Sequence, residues 1–153
     1  LIHGWACSVF TFHRTIAPLA AAGFRVLASD LKGHGLSDKP VGRGEYTTPA
    51  MLAHLHEVLD ALAVEQATVL GHSLGGALAL ALALDSPERV SRLVLLAPVG
   101  LGENALLPVV RALTPASLSS VLPYLVRRWT ARLVLRVATG DLRGLGRREV
   151  DEY

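Results

Sequence analysis

The sequence has a single cysteine, Cys7, which excludes an internal disulfide framework and a cysteine-rich zinc site. No catalytic motif surrounds Cys7, so it is a poor candidate nucleophile. No apolar run reaches the roughly 20 residues that span a bilayer; the stretch Leu74–Leu84 is too short and reads as a buried helix. Aromatic residues make up only 5% and the net charge is only +2. With no basic stripe interleaved with aromatics, no nucleic-acid partner is expected. A metal-ligand cluster, a dinucleotide fingerprint and a phosphate loop are all missing, so neither metal nor cofactor is expected. No signal peptide is visible, and a cytoplasmic location is the expectation. Methionine occurs once, at Met51, and the chain opens at Leu1 inside what reads as a strand. Both ends are therefore expected to be cut.

What is present suits a globular domain: 153 residues, 51% hydrophobic and 18% charged, enough to bury a core. Leu1-Ile2 reads as the tail of a strand ended by His3-Gly4. Phe12–Ala22 reads as a helix that Pro18 should kink or confine to an early turn and that Gly23 closes. Phe24–Ser29 reads as a strand running into Asp30 and a glycine-rich turn. Thr48-Pro49 is a helix start, with a hydroxyl cap and then a proline, and Leu52, Leu55, Leu59 and Leu62 follow at helical spacing. Ala67–Leu70 is a short buried strand, Leu74–Leu84 a helix and Val90–Ala97 another strand. Strands alternating with helices at this pitch predict an α/β architecture, a mostly parallel sheet covered on both faces. After Pro98 the character changes to short Leu/Val/Arg-rich helical segments punctuated by prolines. The expected division is a partial core over 1–100 and a helical segment over 101–153, with the junction near Gly100–Asn104.

Gly71-His72-Ser73-Leu74-Gly75, followed by Gly76, matches G-x-S-x-G between a predicted strand and a predicted helix, the setting that gives this pattern meaning. A sharp turn there forces the serine into a strained backbone conformation, and side chains at the flanking glycines would clash with the neighbouring strand and helix. The turn lifts the Ser73 hydroxyl to the carboxyl edge of the sheet and aims a helix N-terminus at it, where developing negative charge is favoured. The alternative is a chance match in a glycine-rich loop. His72 adjoins the serine but is expected to point away from it and to be structural.

Three motifs in order resemble the α/β-hydrolase family: His3-Gly4-Trp5 after a strand, Asp30-Leu31-Lys32-Gly33-His34-Gly35-Leu36-Ser37, and Gly-His-Ser-Leu-Gly-Gly at 71–76. The likeness runs from residue 1 to about residue 100. It implies that Ser73 is the nucleophile and that the backbone N–H groups of Trp5 and Leu74 form the oxyanion hole. It also makes Asp30, Gly33, His34 and Gly35 loop-organising residues. His3 is expected to be a buried histidine bonded to backbone, and His13, His54 and His56 to have surface or packing roles. Residues from about 101 onward resemble the cap that many members carry, which would shape a pocket over a small acyl or ester substrate.

A serine hydrolase also needs a base and an orienting carboxylate, and the family order is Ser, then acid, then His. All six histidines lie at or before position 72, so the segment 1–153 alone is expected to be inactive. Glu103 is a weak candidate for the acid; Asp141 and Asp151 read as surface charges. Serine rather than aspartate at the elbow disfavours dehalogenases and epoxide hydrolases, which use a carboxylate nucleophile. Carbon–carbon bond hydrolases, lactonases, aminopeptidases and acyltransferases share the elbow and stay open, as does a non-catalytic binding protein. The arginines from Arg127 to Arg148 read as a solvated helical face; the minority reading is contact with a membrane surface.

Overall fold

The computed structural model describes residues 1–101; the expected cap, the junction beyond Leu101, the arginine cluster, Glu103, Asp141 and Asp151 lie outside them. The chain folds as α1 (Ile16–Ala21), α2 (Thr48–Ala61), β1 (Ala67–His72), α3 (Leu74–Asp85) and β2 (Val90–Leu96), with 3₁₀ turns at Val9–Phe12, Arg43–Tyr46 and Pro87–Arg89. The strands pair in parallel from Ala67 opposite Val90 to His72 opposite Leu96. Ile2 extends the sheet on the other side of β1 through a parallel bridge to Gly71. Its N–H donates to Leu70 O at 2.8 Å and its carbonyl accepts from His72 N–H at 3.0 Å.

Phe12–Ala22 is not one helix. Ser8 caps a 3₁₀ turn over Val9–Phe12, and α1 starts only at Ile16, with Pro18 as its third residue. That place suits proline, because the first N–H groups of a helix have no intrahelical partner. The exit is a Schellman motif: Gly23 at φ +89, its N–H on Ala20 O at 3.0 Å, and Phe24 N–H on Leu19 O at 3.2 Å.

Over Phe24–Ser29, expected to be a strand, no ladder forms among the described residues. Leu27 O accepts from Leu1 N at 2.7 Å. Apolar composition alone does not make a strand. Phe24 stays 57% exposed.

The start of α2 also differs by one residue. Thr47, extended at φ −71 and ψ 156, is the cap and accepts from Ala50 N–H, while Thr48 is the first helical residue and Pro49 the second. Leu55 and Met51 are the buried residues of α2. Leu52 and Leu59 pack partly buried against the core, but Leu62 is 41% exposed where the helix ends. The core joins these to Ile2, Leu31, Val69, Leu78, Ala79 and Leu82. α3 is apolar nearly all round, as expected of a helix between a sheet and a second helix. Surface ties add little: Arg89 reaches Asp60 at 2.7 Å and Val64 O at 3.0 Å, a half-exposed pairing worth at most about 1 kcal/mol. Among the described residues, no helix is long and apolar enough to cross a membrane.

Candidate active site

Ser73 is the single residue between β1 and α3, and its backbone stands at φ +54, ψ −116. L-residues rarely adopt this region, at a cost of about 1–3 kcal/mol, so the surroundings must impose it. They do so on both sides of the residue. The Ser73 N–H donates to Leu96 O at 3.0 Å, and the Ser73 carbonyl accepts from Gly76 N–H at 3.0 Å, Val99 N–H at 3.1 Å and Ala77 N–H at 3.2 Å. The end of β2, the first turn of α3 and the chain leaving β2 together hold the two peptide units that flank Ser73.

The glycines permit this closeness. A Cβ on Gly71 would strike the carbonyl of Gly75, and one on Gly75 would strike the carbonyl of Ile2; one on Gly76 would lie 2.8 Å from Pro98 Cβ. A Cβ on Gly4 would sit 3.1 Å from both Ser73 Cβ and His72 Nδ1. The His3-Gly4-Trp5 loop therefore lies directly against the serine turn. Leu74 opens α3, so its N–H is one of the N-terminal donors that no helical carbonyl satisfies. The Trp5 side chain is 57% exposed.

Behind this loop His3 is fully buried. Its Nδ1 bonds Gly4 O at 2.8 Å and its Nε2 accepts from Leu31 N–H at 2.9 Å. A carbonyl on one nitrogen and an N–H on the other fix the neutral Nδ1–H tautomer. Asp30 Oδ1 accepts from Val9 N–H at 2.6 Å and lies 3.8 Å from His3 Nε2. Oδ2 accepts from Leu36 N–H at 2.8 Å, and the Asp30 carbonyl takes the Ser37 hydroxyl at 2.6 Å. Asp30 thus joins the loop after His3 to the loop after itself. Gly35 passes so close to its carboxylate, and Gly33 to Tyr46, that a Cβ at either would overlap them. His34 bonds Lys32 O at 3.1 Å and meets His3 edge to face at 5.4 Å. The Asp30 bridge to Val9, 21 residues away, and the Val99 bond to Ser73 had no local sequence signal.

The remaining histidines are spread out. His72 Nδ1 and His54 Nε2 are buried and have no hydrogen-bond partner among the described residues. His56 Nε2 lies 3.2 Å from Asp85 Oδ2, and His13 bonds Phe10 O at 2.8 Å and stacks on the Phe10 ring. Among the described residues, no group of three or more His, Cys, Asp or Glu is placed to hold a metal ion.

Burial holds His3 below the ordinary 6.5, against the opposing pull of its Gly4 bond, and burial likewise lowers His72. Both are neutral when folded, whereas the unfolded chain takes up their protons as pH falls through about 6.5. Stability from this source is complete above that pH and is lost as pH falls toward the folded-state values. The urea midpoint should therefore drop between pH 7.5 and pH 5.5, and His72→Gln should flatten the drop. A midpoint constant across that range would refute the assignment.

A model of the family described as alpha/beta hydrolase fold matches residues 1–139. The 2-hydroxymuconate semialdehyde hydrolase of Pseudomonas sp. (strain CF600) is 42% identical over 102 residues, covering 65% of this chain and 36% of that protein. The bifunctional epoxide hydrolase 2 of Sus scrofa is 42% identical over 90 residues, covering 59% of this chain and 16% of that protein. The crystal structure of a probable hydrolytic enzyme from Pseudomonas aeruginosa PAO1 superposes with a TM-score of 0.63 at 44% identity, over 66% of this chain and 32% of that one. The matched part of the chain spans about a third of the length of such curated relatives.

Proposed function

The chain belongs to the α/β-hydrolase family, and from that premise we propose that Ser73 is the nucleophile of a hydrolase acting on ester-like acyl bonds. The Trp5 and Leu74 N–H groups serve as its oxyanion donors. The observation that carries this reading is the Ser73 backbone, held at φ +54 and ψ −116 between β1 and α3. A protein has little reason to maintain such strain unless the hydroxyl must stand clear of the sheet edge at a helix N-terminus. The Ser73 oxygen adds to the carbonyl carbon of a small acyl substrate as a base takes its proton. The carbonyl electrons move onto an oxyanion facing the two N–H groups, and collapse expels the alcohol and leaves an acyl-enzyme that water hydrolyses. No histidine follows Ser73 in these 153 residues.

A second reading has its own support. The 42% identity to a 2-hydroxymuconate semialdehyde hydrolase favours cleavage of a carbon–carbon bond beside a ketone, with the same elbow and oxyanion site. Epoxide opening is disfavoured despite the pig relative, because an alkyl-enzyme ester requires a carboxylate where this chain has Ser73.

The full-length protein should be given p-nitrophenyl esters of graded chain length, a vinylogous 1,5-diketone and a fluorophosphonate. Ester turnover with phosphonylation of Ser73 is the expected result. Diketone cleavage at least about 100-fold faster than ester hydrolysis would transfer the assignment to the second reading. Absence of both turnover and label would overturn both and leave a binding protein on a hydrolase scaffold.

A further inference from the structure

We propose that His3 is a positioning residue that sets the orientation of the Gly4–Trp5 peptide, and thereby aims the Trp5 N–H at the oxygen developing beside Ser73. The inference deepens the reading of Trp5 as an oxyanion donor and rests on it.

A trans peptide is planar, and its C=O and N–H point in opposite directions; no peptide among the described residues is cis. Whatever holds the Gly4 carbonyl therefore also fixes the direction of the Trp5 N–H. Two donors hold that carbonyl. His3 Nδ1 lies 2.8 Å from it, and Cys7 N–H closes a turn onto it at 3.3 Å, with Ala6 at φ +55 inside the turn. The Cys7 bond is long and belongs to an exposed turn. The His3 bond is short, and the ring that makes it is wholly buried.

The ring is itself immobilised. Leu31 N–H occupies Nε2 at 2.9 Å, and Leu31 is only 1% exposed. The His34 ring stands edge to face with it. His3 thus transmits the rigidity of the core to one peptide. The Gly4 Cα side of that peptide abuts the serine, a Cβ there falling 3.1 Å from Ser73 Cβ. Freed of the His3 bond, the Gly4 carbonyl keeps only the long Cys7 bond among the described residues, glycine brings no side chain to resist a turn of the peptide, and the donor's direction is lost without any change in the residue that bears it.

The two ring nitrogens can be tested separately in the full-length protein. Asparagine places an amide nitrogen near the position of Nδ1 and keeps the bond to Gly4 O. Glutamine reaches the position of Nε2 and keeps only the partner of Leu31. His3→Gln should lower kcat about 100-fold, the scale of losing one oxyanion donor, with KM nearly unchanged. His3→Asn should recover kcat to within about threefold to tenfold of the parent. Equal loss in both variants, tracking a shared fall in Tm, would reduce His3 to a core residue and overturn the proposal. Crystal structures of both variants supply a readout independent of turnover: the Gly4–Trp5 peptide should turn in His3→Gln and stay in His3→Asn. An unturned peptide in His3→Gln overturns the proposal whatever the kinetics. A turned peptide in a protein without Ser73-dependent turnover would instead sink the hydrolase reading and leave the positioning intact.

Discussion

Replacing Ser73 with glycine is expected to abolish turnover and, at the same time, to make the protein more stable. The hydroxyl is the group proposed to attack, so its removal should lower kcat/KM by about 10⁴-fold or more, leaving only what binding and the oxyanion site contribute. The stability gain comes from the backbone. At φ +54 and ψ −116 a Cβ is strained, and glycine is not. Relief of about 1–3 kcal/mol exceeds the roughly 0.5–1 kcal/mol that glycine's extra freedom costs through the unfolded chain, leaving a gain of about 1 kcal/mol. Ser73→Ala separates the two effects, since it removes the hydroxyl but keeps the Cβ, and should match glycine in lost activity with no gain in urea midpoint. If glycine destabilises the protein as an ordinary loop substitution would, the strain is not stored at Ser73.

Gly75→Ala should be strongly destabilising. Its Cβ would overlap the carbonyl of Ile2, with the His3 carbonyl only 2.5 Å away. Both atoms are backbone, and Ile2 is bonded to β1 on either side of its peptide, so no side chain can swing aside. Relief requires α3 to lift off the end of β1, and the cost should exceed about 3 kcal/mol, lowering Tm by about 10 °C or more. Gly44→Ala is the control: nothing lies within 4 Å of the added carbon, and the change should stay within about 0.5 kcal/mol of the parent. Similar melting curves for the two variants would mean that α3 does not sit as tightly on the loop as described.

Features with a local cause were readable from the sequence. The turn at 71–76 announces itself because its glycines and serine stand together in one short run between two apolar segments, from which β1 and α3 follow, although Gly75 and Gly76 answer Ile2 and Pro98, far away in the chain. Gly23 and Pro18 marked the end and the early turn of α1. The misreadings came where residue type left the choice to backbone geometry or to partners elsewhere in the chain. Phe24–Ser29 has strand composition, but a strand needs a ladder that residue type does not supply. Thr47 and Thr48 are equal as caps on paper; the choice fell to the residue whose extended backbone let its hydroxyl face Ala50 N–H. In the site, Ser73 stood out from its own neighbourhood. The work of Asp30 on Val9 and of His3 on Leu31 spans 21 and 28 residues, and no periodicity encodes it.

The bond from Val99 N–H to the Ser73 carbonyl, 3.1 Å, makes the chain leaving β2 a support of the strained turn. Pro98 lies against the same turn, its Cβ only 2.8 Å from where a Cβ on Gly76 would fall. A substitution at Pro98 or Val99 that shifted this stretch would therefore act on Ser73 through its backbone and leave its side chain untouched.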